Sequence, residues 1–214
     1  MPDIAEFLLY MIVFLFSLSL HEAAHAWTAE RFGDSTGRYL GRVTLNPLPH
    51  IDPLGTLVFP AIGFFTGGVM FGWAKPVPWN PRNVKDRRTA DIWISAAGPI
   101  SNVLALIGFL VLHKLFALYA ASGLDVLGDT AVPLFRMCLI GIRLNVILAV
   151  FNLLPIPPLD GSWILPHFLP RALAQAYEQI RPYGFLILLV CLSLGVFRAV
   201  LLPVLQVVES VMDL

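Results

Sequence analysis

The chain has 214 residues, 57% of them hydrophobic and 13% charged. Globular proteins carry about 25% charged residues, so a soluble fold would lack the polar material for its surface, and the composition implies a polytopic membrane protein. Formal net charge is zero at pH 7, and with no basic stripe or acidic tail nothing suggests a nucleic-acid partner.

The first predicted element is an apolar run from about Ile4 to Glu30, long enough to cross a bilayer with some tilt. Its first residues carry Asp3 and Glu6 and no Lys or Arg, and cleavage after Ala26 would destroy the histidine motif within it, so it is not read as a signal peptide. Inside it lies His21-Glu22-Ala23-Ala24-His25. Histidines four apart on a helix differ by roughly 40° around the axis, so both rings project from one face, one turn apart. One element can thus offer two ligands to a metal, and Glu22 can reach a water beside it. The pattern can arise by chance in a soluble helix. Within hydrocarbon, however, ionisable groups are expensive and mark a functional site by default. The competing reading is a hydrogen-bonded polar patch between helices.

The connection from Arg31 to Pro53 is rich in Gly and Pro and reads as loop or short strand. Leu54 to Trp73 is apolar but broken by Gly55, Pro60, Gly63, Gly67, Gly68 and Gly72, and a basic loop with Lys75, Arg82, Lys85, Arg87 and Arg88 follows. Positive residues in short loops mark the cytoplasmic side. Both flanks of 54–73 are basic, so this segment is expected to dip in and return as a re-entrant hairpin; a plain transmembrane helix is the competing arrangement. Irregular backbone at membrane depth is tolerated only against protein or a wet cavity, which would put the hairpin beside the metal.

A second span is predicted from about Ala90 to Ala120, with Ser95-Ala96-Ala97-Gly98 allowing close helix approach and Pro99 introducing a kink. The loop after it carries Asp125 and Asp129 and suits the outside. A third span, about Val132 to Leu154, returns inside and ends in Pro155-Ile156-Pro157-Pro158-Leu159-Asp160-Gly161. A polar stretch with Arg171, Glu178 and Arg181 suggests a short interfacial helix, and the last span covers about Tyr183 to Val204. The three proposed inside segments hold ten of the 14 Lys and Arg residues. The expected fold class is therefore an all-α polytopic membrane protein with about four to five transmembrane helices plus the re-entrant hairpin at 54–73.

Hydrolytic zinc sites usually keep three protein ligands and leave a fourth position to water. Asp160 is the candidate third ligand. The prolines before it stop the helix and leave an extended, stiffened backbone, and Gly161 relieves crowding just after it. The alternative is an ordinary Asp-Gly turn. Both half-sites fall at ends of spans predicted to lie inside. A bound metal would lower its water's pKa towards about 7, and Glu22 would serve as general base. Two imidazoles and one carboxylate suit one zinc ion per chain, although affinity order alone admits cobalt or iron.

The same His/Asp set could instead serve a metal-ion transporter or channel as a permeation site. Transport asks for polar groups along a whole path, whereas here they gather at one depth and Glu22 would have no task. An inactive scaffold would have no reason to keep the ligands and Glu22 intact.

The His21–His25 motif, Gly98-Pro99-Ile100-Ser101-Asn102 in the second span and Asn152-Leu153-Leu154-Pro155-Ile156-Pro157-Pro158-Leu159-Asp160-Gly161 closing the third resemble the site-2 protease family of intramembrane zinc metalloproteases. Gly72-Trp73-Ala74-Lys75-Pro76-Val77-Pro78 is similar to a compact bacterial or archaeal branch without a PDZ or CBS domain. The resemblance implies a single transmembrane peptidase domain over 1–214 in a prokaryotic cell membrane, with its active site near the cytosolic side. It further implies cleavage of transmembrane protein substrates, zinc held by His21, His25 and Asp160, and a role for Asn152 near the substrate.

Other polar residues carry weaker signals. Asn102 can hydrogen-bond a ligand or substrate, or make an interhelical contact. Asn152 can serve the site or cap a broken helix end, and Asn145 reads as structural. Arg143 falls mid-span and needs a partner or water. His50, His113 and His167 read as interfacial, although His50 sits in a loop able to fold over the site. Cys138 and Cys191 read as small apolar residues. Trp73, Trp79 and Trp93 suit an interfacial belt.

Overall fold

The computed structural model of the chain describes residues 3–67, 70–123 and 126–213. Gly68, in the predicted hairpin, and Asp125, in the predicted outside loop, lie outside these. Among the described residues every regular element is helical. Helix α1 (Ile4–Arg31) starts at Asp3, whose carboxylate accepts the Ala5 N–H. Helix α2 (Thr36–Tyr39) is a single turn in the following connection, and no strand forms there.

Residues Pro53–Val58 form a π-helical turn that runs into α3 (Phe59–Thr66). Asp52 caps the turn by accepting the Leu54 and Gly55 N–H groups. Gly67, with φ of 67°, ends the helix in the left-handed region that glycine tolerates. At 1.5 Å per residue the stretch is about 21 Å long, short of the ~30 Å hydrocarbon core. The chain then returns to where it started. Trp73 N–H donates to the Gly55 carbonyl at 3.1 Å, and the Thr56 hydroxyl donates to the Trp73 carbonyl at 2.8 Å. A hairpin whose two ends meet is the re-entrant arrangement expected for 54–73.

Helix α4 (Arg87–Ala121) and helix α5 (Ala131–Leu153) pack against α1 and against each other. Met11, Val13, Phe14 and Leu18 of α1 and Leu144 of α5 form one buried cluster, joined by Ala74 of the return segment. Small residues set the helix spacing: Ala29 and Ala90 are buried with Ile94 where α1 meets α4, and Phe109 lies where a Cβ on Gly141 would stand. Leu8, Ile12, Leu104, Val111 and Leu115 face outward, as lipid-facing positions should.

α5 is followed by the one-turn helix α6 (Gly161–Ile164), the amphipathic helix α7 (Arg171–Ile180), α8 (Gly184–Ser193) and α9 (Val196–Asp213). Among the described residues three helices are long and apolar enough to span a membrane, α1, α4 and the Gly128–Leu153 segment that contains α5. A fourth span exists if the pair Arg171–Ser193 and Val196–Met212, bent by 65°, is taken as one. The predicted continuous span from Tyr183 to Val204 is thus broken. Gly195 adopts a φ of 73°, and its N–H bonds the Leu192 carbonyl to close α8.

The loop between α1 and α4 is tied by Asp34, which is fully buried. Its carboxylate accepts from the Asn80 N–H (2.8 Å), the Asn83 amide (2.6 Å) and the Thr36 hydroxyl (2.6 Å). Burial alone would raise its pKa, but these donors outweigh it and hold the group below the usual carboxylate range. A depressed pKa contributes stability above the unfolded-state value of about 3.9 and loses it as pH falls through the folded-state value. Asp34→Ala should cost about 1–3 kcal/mol at neutral pH by stranding buried donors. Thermal unfolding in detergent should show that deficit narrowing as the pH drops below about 4.

Candidate metal centre

His21 and His25 sit one turn apart on α1, ring centroids 4.6 Å apart and planes at 80°. Their Nε2 atoms are 3.0 Å apart. Asp160 Oδ2 lies 3.1 Å from His21 Nε2 and 3.4 Å from His25 Nε2. The prolines were expected to leave Asp160 on extended backbone. Instead the break is a compact turn with a cis Pro157–Pro158 bond, and Asp160 has helical φ and ψ as the residue opening α6. Trp163 N–H donates to its carbonyl, so the turn of helix itself aims the side chain. Gly161 packs so closely on the Leu153 and Leu154 carbonyls that a Cβ there would collide with both.

The far nitrogens of both rings decide what fills this cluster. His25 Nδ1 lies 2.6 Å from the Ile94 carbonyl, which only accepts, so Nδ1 carries the proton. His21 Nδ1 lies 2.6 Å from Asn102 Oδ1. The Asn102 amide donates to Asn145 Oδ1 at 2.9 Å, and the Asn145 amide donates to Ser17 Oγ and the Gly141 carbonyl. That chain fixes the amide orientations and makes His21 Nδ1 the donor as well. Neutral rings with protonated Nδ1 present bare lone pairs at both Nε2 atoms. Asp160 Oδ2, buried and without a hydrogen bond of its own, adds a third. With the rings neutral, three acceptor atoms 3.0–3.4 Å apart are placed to share one cation. Two imidazoles and a carboxylate, each ring held from behind, are a donor set that fits zinc.

α4 comes close enough because Gly98 has no side chain, and a Cβ there would overlap both imidazoles. In front of the cluster is a cleft of about 360 Å³ lined by Glu22, His25 and Asp160 together with Val77, Asp91 and Trp163. Glu22 Oε2 accepts the Val77 N–H at 3.1 Å. Asp91 pairs with His167 at 3.2 Å and with Arg87 at 3.7 Å, tying the start of α4 to the segment after α6.

His21, His25, Asp160, Glu22 and Asn102 are therefore brought together. The Asn152 amide donates to the Leu148 carbonyl one turn back in α5, and Asn152 does not line the cleft. Asn145, read as structural, completes the chain behind His21. Gly98 lies in a motif already noted, but its place under the rings depends on how α4 crosses α1. The Ile94 carbonyl and the Val77 amide carry no side-chain signature, since every residue supplies a carbonyl and every residue but proline an N–H. His50 is buried behind the segment that carries Val77, and His113 is buried against Phe135, with its Nδ1 unpartnered. Cys138 and Cys191 are free.

The model of peptidase family M50 matches residues 9–194. The chain belongs to peptidase family M50. It is 40% identical over 197 residues to the Bacillus subtilis protein named "Putative zinc metalloprotease YwhC", covering 92% of this chain and 85% of that one. It is also 35% identical over 196 residues to "Putative zinc metalloprotease Rip2" of Mycolicibacterium smegmatis, covering 88% and 68%. No solved structure matches the chain significantly. This M50 protein is a membrane-embedded zinc metalloprotease. Asn102→Ala frees the His21 ring and should weaken zinc binding about 10–100-fold, read by competition with a chromophoric chelator. Gly98→Ala should lower zinc content further, because its methyl group displaces both rings at once.

Proposed function

We propose that this M50 zinc metalloprotease hydrolyses peptide bonds within or near transmembrane segments, with His21, His25 and Asp160 holding zinc and Glu22 as general base. The observation that carries the reading is the convergence of His21 Nε2, His25 Nε2 and Asp160 Oδ2 beside Glu22 on one cleft. Bound zinc supplies Lewis acidity, polarising a water and the scissile carbonyl. The Val77 N–H holds Glu22 Oε2, and no protein donor among the described residues takes Oε1. Oε1 is thus free to accept the proton of an attacking water and to pass it to the leaving amine. His21 and His25 keep their Nδ1 protons on Asn102 and Ile94 throughout, so neither ring competes for that proton.

The excess of Lys and Arg in the segments around 31–53, 74–88 and 155–182 supports a cytosolic position for the cleft. Glu22 lies about 12 Å from the Glu30 end of α1, a short path for water. A transmembrane substrate must unwind before its amide can enter. The whole of 1–214 acts as one peptidase domain in this reading.

The test is cleavage of an apolar peptide of membrane-spanning length by the purified protein in lipid vesicles, with zinc quantified in the same samples. Glu22→Gln should keep its zinc and lose about 10²–10⁴-fold in rate. Cleavage by that variant at the full rate removes Glu22 from the role. Stoichiometric metal with ion flux and no proteolysis would establish the transport alternative instead.

A further inference from the structure

Arg42 is buried, 5% exposed, and among the described residues pairs with no carboxylate within 4 Å. A buried guanidinium is costly unless its donors are used. Here they are spent on one segment of chain. Nη1 donates to the Lys75 carbonyl at 3.1 Å and Nη2 to the Pro76 carbonyl at 3.0 Å. Nη1 also points at His50 Nδ1, 3.4 Å away. His50 Nε2 donates to the Thr44 carbonyl, which leaves Nδ1 as the acceptor that Arg42 needs. Burial, with the Arg42 charge beside it, holds His50 below its usual pKa and so keeps it neutral. The His50 carbonyl accepts the Lys75 N–H at 2.9 Å.

The other end of the segment is held as firmly, by Asp34 on the Asn80 N–H and the Asn83 amide. Between these clamps the chain reads Pro76-Val77-Pro78, and neither proline has an N–H. Val77 therefore offers the single amide donor of the three, and that donor is aimed at Glu22 Oε2. Both clamps lie in the connection directly after α1, the helix that carries Glu22. Helix and segment are thus locked in register by the chain that joins them.

We propose that Arg42 and Asp34 are positioning residues that fix the Lys75–Asn80 strap so that the Val77 N–H orients the Glu22 carboxylate. The inference rests on the general-base reading of Glu22. Its test is designed so that the two can fail separately.

Val77→Pro deletes the amide hydrogen, whereas Val77→Ala keeps it and removes only side-chain bulk. Cleavage of the same apolar peptide in vesicles is measured with kcat and KM separated, alongside zinc content. Val77→Pro should lose about 10–100-fold in kcat relative to Val77→Ala, the scale of a misplaced catalytic group, with zinc retained and KM changed by less than about threefold. Arg42→Ala should fall by a similar factor, Arg42→Lys should recover part of it, and Arg42→Ala combined with Val77→Pro should be no worse than the worse single variant. Equal kcat for Val77→Pro and Val77→Ala overturns the proposal, and so does multiplicative loss in the double variant. Loss of zinc from Val77→Pro also overturns it, because the strap would then support the metal and not Glu22. Full activity of Glu22→Gln would instead sink the general-base reading, whatever the strap variants do.

Discussion

Two ring nitrogens and a carboxylate oxygen that converge within 3.4 Å are the constraint around which this structure is arranged. His21 and His25 can present Nε2 only if each Nδ1 hydrogen has an acceptor at a fixed place. One acceptor is the Asn102 side chain and the other the Ile94 carbonyl, both on α4. α4 must then lie against α1 at van der Waals distance, which is why Gly98 occurs where the rings project. Asp160, the third proposed ligand, lies on neither helix. It arrives only if α5 ends at the right depth and reverses at once, and the proline run with Gly161 pressed on the Leu153 carbonyl achieves both.

The hydrogen-bonded chain behind the ligands has a second effect. Ser17, Asn145 and Asn102 are all buried and link α1, α5 and α4 through their side chains. Between membrane helices the apolar effect contributes little, since lipid tails solvate Leu as well as another helix does. Interhelical hydrogen bonds in that setting average about 0.6 kcal/mol, modest but directional. The same asparagines that select the tautomer of His21 therefore also fix the relative depth of the three core helices. Metal geometry and helix register are set by one network.

The spans with the simplest physics were legible. α1, α4 and α5 fall within about three residues of the boundaries read from apolar runs, a margin normal for helix ends. The His/Glu/His spacing and the proline-flanked Asp160 were legible too, because side-chain type at fixed spacing carries that signal. The conformation of Asp160 was not, since prolines show where a helix stops and not whether the next residue is extended or turned. Nor could hydropathy separate α8 from α9, as Leu194-Gly195 sits in an unbroken apolar run and only the positive φ of Gly195 makes the bend. The Val77 amide and the Ile94 carbonyl are backbone groups, which side-chain type does not mark as functional until the fold selects them.

The bend at Gly195 brings a partner to Arg143, which the sequence placed mid-span. Arg143 lies near the middle of α5, where an isolated guanidinium is poorly tolerated. Turned through 65°, α9 packs along α5, and Glu209 comes within 3.4 Å of Arg143 Nη2. Lys114 of α4 donates to the Met212 carbonyl at 2.7 Å, satisfying one of the open carbonyls at the end of α9 and drawing that end towards α4. Both charged heads stay partly exposed at the outer face of the helices, so each gains more from the other than from hydrocarbon. An apolar run read for its hydropathy alone hides this. The glycine within it turns a terminal helix into the counter-charge that a mid-span arginine requires.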